Sequence, residues 1–262
     1  MLIDTHCHLA AGEFAADRDE VVAAARAAGV SAIVVPAVDA ASFAEVRDCC
    51  SRYAGCAPAY GIHPLYVEHA GDDDLATLRG WLARASGGPD SPVAVGEIGL
   101  DFFVAGADVD RQAYFFVEQL KIARDADLPV LLHVRRSIEQ VLQNLRRIRV
   151  RGGIAHAFNG SREQAEEFIK LGFKLGFGGA ATFSGSTRIR RLAASLPLEA
   201  IVLETDAPDM PPAWLAGHRN TPFELPRIAE LVAELRGIDS SALVSATSAN
   251  AMAVLPELRL AD

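Results

Sequence analysis

Ile3-Asp4-Thr5-His6-Cys7-His8 opens the chain as a short apolar run that ends in two histidines two residues apart. Side chains on an extended segment alternate faces with period two. His6 and His8 therefore point to one side, where both imidazoles can grip one ion, and Cys7 turns away. The stretch predicts a buried strand over residues 2–9 that carries metal ligands at its C-terminal end. Taken alone, the spacing also suits two ordinary strand histidines with hydrogen-bond partners.

Outward from this strand, apolar β-rich segments alternate with amphipathic ones along the whole length, the pattern of repeated βα units around a parallel sheet. Eight strands are expected at residues 2–9, 32–38, 57–62, 93–98, 129–134, 153–157, 174–178 and 200–205. Helices are expected near 17–28, 42–53, 75–85, 110–126, 138–148, 162–171, 187–196 and 222–236, with a closing helix over 240–255. Gly29 suits a helix C-cap, Asp110 an N-cap, and Ser161 with Gln164 a capping box. The 262 residues contain no linker, repeat or low-complexity run, so residues 1–262 read as one α/β domain, a single (β/α)8 TIM barrel, with a doubly wound open sheet as the other arrangement.

Strand ends in such a barrel are where active sites form. His6 and His8 end the first strand, His63 follows the third, Glu97 lies near the end of the fourth, His133 and His156 end the fifth and sixth, and Asp206 ends the eighth. Five of the seven histidines and two carboxylates are thereby expected on one rim. His69 and His218 fall in loops. Glu204 shares the face of Asp206 and suits either a residue that orients a ligand or a buried partner for an arginine.

Imidazole and carboxylate without thiolate suit Zn, Mn, Fe, Ni or Mg and not a structural cysteine site. Six candidates, His6, His8, Glu97, His133, His156 and Asp206, exceed the needs of one tetrahedral ion. Two divalent ions about 3.5–4 Å apart, bridged by a carboxylate, would use them all. Lys121, Lys170 and Lys174 lie on helices or at the wrong end of a strand, which leaves Glu97 as the bridge.

Composition narrows the class. Half the residues are hydrophobic and 23% are charged, enough apolar material for a large core, and no run approaches the roughly 18 apolar residues of a membrane span. Met1 leads directly into the first strand without a signal-like segment, so a cytoplasmic protein is expected. Cys7, Cys49, Cys50 and Cys56 show no paired spacing and read as reduced thiols. A net charge of −9 argues against broad capture of nucleic acid but leaves room for a local basic rim. Arginines concentrate at 135, 136, 146, 147, 149 and 151 and again at 188, 190 and 191, where outer helices would solvate most of them.

With these residues in place, the chain resembles the TatD family of metal-dependent deoxyribonucleases. The matching stretches are Asp4-Thr5-His6-Cys7-His8-Leu9, Gly61-Ile62-His63-Pro64, Gly96-Glu97-Ile98-Gly99-Leu100-Asp101, Pro129-Val130 with His133 and Arg135, His156-Ala157-Phe158-Asn159-Gly160, Glu204-Thr205-Asp206-Ala207-Pro208 and Arg219-Asn220-Thr221-Pro222. The resemblance implies one metal held by His6, His8, Glu97 and Asp206 and a second by Glu97, His133 and His156. It further implies that His63, Asp101, Arg135 and Glu204 position a substrate phosphate or the attacking water. Ala157 and Asn159 stand where the family usually has Cys and Ser.

The expected activity is that of a metal-dependent phosphodiesterase or deoxyribonuclease of the 3′-5′ exonuclease kind, acting on single-stranded DNA, 3′ ends or a small phosphoester, with Asp206 as proton acceptor. In the loop 208–220, Trp214 is expected to stack on a base and Arg219 to meet a phosphate; the simpler reading is a loop that packs its own tryptophan. Hydrolysis of amide, ester or lactone bonds and a non-catalytic metal-binding role are the competing readings. Neither a membrane nor an obligate protein partner is expected.

Overall fold

A computed structural model describes residues 1–84 and 91–261. Its centre is one eight-stranded sheet in the order β1 to β8, every neighbouring pair parallel. The strands are β1 (Leu2–Asp4), β2 (Val30–Pro36), β3 (Cys56–Tyr60), β4 (Ala94–Asp101), β5 (Val130–Arg135), β6 (Gly153–Ala155), β7 (Phe173–Phe177) and β8 (Ile201–Leu203). Between them run α1 (Arg18–Ala27), α2 (Phe43–Arg52), α3 (Asp72–Arg84), α4 (Val109–Asp125), α5 (Ile138–Arg147), α6 (Arg162–Lys170) and α7 (Thr187–Ser195), followed by α8 (Leu225–Arg236) and α9 (Ser240–Val254). This is the TIM barrel that the alternation of strand-like and helix-like segments predicts, and it excludes the doubly wound sheet. None of the described helices is long and apolar enough to cross a membrane.

Two apolar layers hold it together. Inside the barrel, Ile3, Ala32, Val34, Ala57, Ala59, Leu131, Ile154 and Val202 pack with Val254, Leu255 and Leu258, so the end of α9 and the residues after it plug the N-terminal mouth. Asn250 fastens that plug, its amide donating to Leu198 O and Ile201 O, both at 2.8 Å. Outside the strands, Phe43, Phe115, Phe116, Phe168 and Val232 bury the inner faces of α2, α4, α6 and α8. Each such side chain contributes roughly 1.5–3 kcal/mol by leaving water. With the lower mouth filled, the upper rim is left for polar chemistry.

Several boundaries differ from the sequence expectation. The first strand ends at Asp4 and not at residue 9, and the last ends at Leu203 and not at 205. Beyond these points the two chains leave the regular ladder and clasp each other. Thr5 donates its N–H and its hydroxyl to Leu203 O, both at 3.1 Å, Asp206 N–H donates to His6 O at 2.8 Å, and Cys7 forms an isolated parallel bridge to Ala207. Helix α4 is capped by Asp108, whose carboxylate accepts from Arg111 N–H at 2.9 Å, and not by Asp110, which lies inside the first turn. Helix α3 begins at Asp72, ahead of residue 75, because Asp72, Asp73 and Asp74 suit the positive end of the helix dipole. The expected last residue of that helix, Ala85, lies outside the described residues. Gly29 follows α1 with φ +90°, and Ser161 and Gln164 form the expected capping box on α6.

Candidate metal centre

All six expected ligands meet at the upper rim, arranged about a single carboxylate. Glu97, on β4, is 2% exposed, and its two oxygens face different groups. Oε2 lies 3.0 Å from His6 Nε2 and 3.4 Å from His8 Nε2. Oε1 lies 2.8 Å from His156 Nε2, 2.9 Å from His133 Nδ1 and 3.6 Å from His63 Nε2. Asp206 Oδ1 stands 3.7 Å from Nε2 of both His6 and His8. His6 and His8 do share one side, as the period-two reading requires, although the segment that carries them lies past the end of β1. Cys7 is fully buried on the other side, engaged with Ala207.

The donor atoms fit cations. Three overlapping sets each bring one donor atom per residue within 4.8 Å of the others in the set: His6, His8 and Glu97; His6, His156 and Asp206; and His63, Glu97 and His133. His156 stacks on His6, with ring centroids 4.1 Å apart, so it stands between the two groups. His63 enters the second group more closely than the resemblance implies. A buried cluster of this kind, rich in lone pairs and free of thiolate, suits borderline or hard divalent ions.

Charge in the cluster is strongly perturbed. Burial disfavours ionisation of Glu97, but the surrounding imidazoles, His156 foremost, hold its carboxyl well below the usual range. Burial pushes His6 down to about 4 and His63 down to about 3. Burial also opposes protonation of His156, yet the Glu97, Asp206 and Glu204 carboxylates raise it to about 10.

Local backbone geometry aims these groups. Asp206 adopts a left-handed φ of +56°, held by its N–H bond to His6 O, a conformation that costs a non-glycine residue on the order of 1–3 kcal/mol. Glu204 is buried beneath His156, where Oε1 accepts from Ala157 N–H at 2.5 Å and lies 4.0 Å from His156 Nδ1. Burial raises its pKa to about 8. A Cβ on Gly176 would sit 2.0 Å from Glu204 Oε2, so only glycine leaves room for that carboxyl. Asp101 accepts from His133 Nε2 at 2.9 Å and from Phe103 N–H at 2.8 Å, which fixes the imidazole from behind. Leu65 N–H donates to His63 Nδ1 at 3.2 Å, which leaves Nε2 as the proton-bearing nitrogen of the neutral ring.

A cavity of about 560 Å³ opens over the cluster, with Arg135 at its edge. The Arg135 guanidinium is 3.9 Å from Asp101 Oδ2 and lies 3.8 Å above the Phe103 ring. Trp214 and Arg219 are not brought to the cluster. The Trp214 indole donates to Glu224 Oε2 at 2.6 Å and is covered by Arg227. Arg219 pairs with Asp17 at 2.5 Å and stacks over Phe14, tying the loop after β8 to the segment before α1. His69 closes a short 3-10 turn and His218 is exposed, both apart from the centre.

One contributor escapes a ligand search along the sequence. Asp4 accepts from Thr205 Oγ1 at 2.6 Å, from Thr205 N–H at 3.0 Å and from His6 N–H at 3.3 Å. It thereby joins the two segments that carry His6, His8 and Asp206. Its place two residues before the first histidine is the available signal, but its partner is two hundred residues away.

Comparison with known proteins places this geometry. The profile of the TatD related DNase family matches residues 3–256. The uncharacterized metal-dependent hydrolase YjjV of Escherichia coli K12 is 41% identical over 235 residues, 89% of this chain and 90% of that protein. The crystal structure of YjjV, a TatD homolog from the same strain, superposes with a TM-score of 0.93 at 39% identity, over 97% of this chain and 98% of that one. The 3′-5′ ssDNA/RNA exonuclease TatD of Cronobacter sakazakii is 35% identical over 260 residues, 95% of this chain and 96% of that protein.

Proposed function

This chain belongs to the TatD-related DNase family, and on that premise we propose that it is a metal-dependent phosphodiesterase that removes nucleotides from the 3′ end of single-stranded nucleic acid with two divalent ions. The observation that carries the reading is the division of the Glu97 carboxylate, one oxygen toward His6 and His8 and the other toward His133 and His156. A carboxylate so placed suits a bridge. The relative named a 3′-5′ ssDNA/RNA exonuclease supports the choice of substrate.

In this reading His6, His8, Glu97 and Asp206 would hold one ion and Glu97, His133 and His156 the other, drawn from Zn, Mn, Mg, Ni or Fe. When bound, the pair would acidify water and offset charge on the phosphoryl oxygens. Asp206 takes the proton of the attacking water, since its carboxylate lies at the mouth of the centre and is only 13% exposed. Arg135 presents a planar fork to the non-bridging oxygens. His63, whose Nε2 lies 3.1 Å from His133 Nδ1 and 3.6 Å from Glu97 Oε1, borders the second group and helps to position the phosphoryl group or the attacking water. Asp101 fixes His133, and Glu204 supports His156 and the backbone of Ala157. Trp214 and Arg219 serve the substrate indirectly, by holding the loop after β8 in place.

The test is metal content per chain of protein purified without chelator, together with digestion of 5′-labelled single-stranded DNA by the same sample and by Asp206→Asn. Two ions per chain and stepwise shortening that the variant lacks are expected. A metal-loaded protein that hydrolyses a carboxylic ester and leaves every oligonucleotide intact would refute the reading.

A further inference from the structure

Beside the metal centre the cavity continues into a cleft of about 520 Å³ between the loops that follow β4, β5 and β6. Arg135 and Asn159 line both spaces, so the cleft adjoins the centre. Three guanidinium groups line it, from Arg135, Arg136 and Arg188. Arg136 holds a left-handed φ of +57°, and with Arg135 it stacks on exposed Phe103, the guanidinium carbons 4.6 and 3.8 Å from the ring centre. The ring thereby orients two forks that long side chains would otherwise leave free. Neither Arg136 nor Arg188 pairs with a carboxylate among the described residues. Glu139 is the one carboxylate in the described lining, and Gln164 Nε2 holds it at 2.8 Å. The first turn of α5 adds uncapped amides, because the Ser137 hydroxyl donates to Leu100 O at 2.7 Å instead of capping the helix.

The other flank of the centre has the opposite character. A cleft of about 430 Å³ there is lined by Glu13, Glu45 and Asp209 and by exposed Leu65 and Tyr66; no lysine or arginine is among its described lining, although Glu45 Oε1 pairs from outside it with Arg18 at 3.7 Å. A polyanion crossing the centre would meet favourable charge on one side and, on the other, Glu13 and Asp209 beside the Arg18-paired Glu45. On a chain with net charge −9, such a local contrast selects orientation.

We propose that the arginine cleft carries the phosphates of the nucleotides adjoining the scissile bond, and that the acidic cleft admits only the terminal nucleoside. This rests on the phosphodiesterase reading of the centre and adds to it a track, with Arg136 and Arg188 as phosphate contacts, and a reason for cutting at chain ends. An internal phosphodiester would force a phosphate against Glu13, Glu45 and Asp209.

The experiment measures binding of a fluorescein-labelled phosphorothioate octathymidylate, which resists hydrolysis, to the metal-loaded protein across a salt series. Arg136→Ala/Arg188→Ala is compared with Arg147→Ala/Arg149→Ala, an equal change of charge at the opposite end of α5. The first pair is expected to raise Kd at least about tenfold and to lower the salt slope by about 1.4, roughly 0.7 for each lost phosphate contact. The second pair is expected to stay within about twofold of the parent protein. Equal weakening in both pairs, or a parent protein that does not bind the oligomer, would overturn the track. Unmodified linear oligomer and a closed single-stranded circle, incubated with the parent protein, complete the panel. Digestion of the linear form alone is expected, and nicking of the circle overturns the end preference. Arginine-dependent binding without any cleavage sinks the hydrolytic reading and leaves the cleft as a nucleic-acid site.

Discussion

Asp4 and Thr205 are joined twice, hydroxyl to carboxylate at 2.6 Å and amide to carboxylate at 3.0 Å, across the seam between the first and last strands. On one side of the seam follow His6 and His8, on the other Asp206. The clasp is therefore both part of the barrel's closure and the spacer between candidate ligands. Asp4→Ala leaves the Thr205 hydroxyl, the Thr205 amide and the His6 amide without their acceptor. A stability loss of about 2–4 kcal/mol is expected from guanidinium unfolding, together with metal affinity lower by about 10–100-fold in chelator competition. Unaltered metal affinity in a folded Asp4→Ala protein would show that the seam does not set the ligand spacing.

Glu97→Gln keeps the shape of the proposed bridge but removes its charge and turns an N–H₂ group toward imidazoles. Elemental analysis is expected to find at most about one ion per chain, and turnover is expected to fall by roughly 10²–10³. Two ions retained with full turnover would remove Glu97 from the bridging role.

Chelation reads the same site through stability. Each ion that binds only the folded state contributes about 2.7 kcal/mol at one hundred times its dissociation constant, so removal is expected to lower Tm by at least roughly 5–10 °C. Readdition of Zn or Mn should restore both Tm and activity, whereas a Tm indifferent to chelator would separate metal from folding.

The thiols respond to pH in a defined direction. Burial raises Cys49 from 9.0 to about 11 and Cys56 to about 12, and holds Cys7 well above its ordinary value. Unfolded thiols lose their protons first as pH rises, so the native state binds more protons between these values. The contribution is intact below pH 9 and lost as pH climbs through 11 and 12. Unfolding midpoints should fall between pH 8 and pH 10.5, and Ellman's reagent at pH 8 should react slowly with native protein but with all four cysteines after unfolding. Rapid reaction of the native protein would contradict the burial of Cys7, Cys49, Cys50 and Cys56.

Periodicity in the linear chain determined the eight-strand barrel, since a parallel sheet flanked by helices leaves a strong record of apolar runs and amphipathic stretches. It also marked out the candidate metal ligands, because barrel strands end on one rim and the histidines and carboxylates at those ends meet there. Helix caps were legible where a side chain bonds its own turn, as at Ser161 and Gln164, and ambiguous where two aspartates compete, as at Asp108 and Asp110. Only the tertiary structure decided that Asp4 would hold Thr205, that Glu97 would offer one oxygen to each side, and that Arg219 would turn to Asp17. It alone decided that Arg136 and Arg188 would share a cleft facing three carboxylates across the centre. These relations are formed by side chains that meet from distant strands and loops. Their distances are set by barrel closure and packing, which spacing along a sequence does not record.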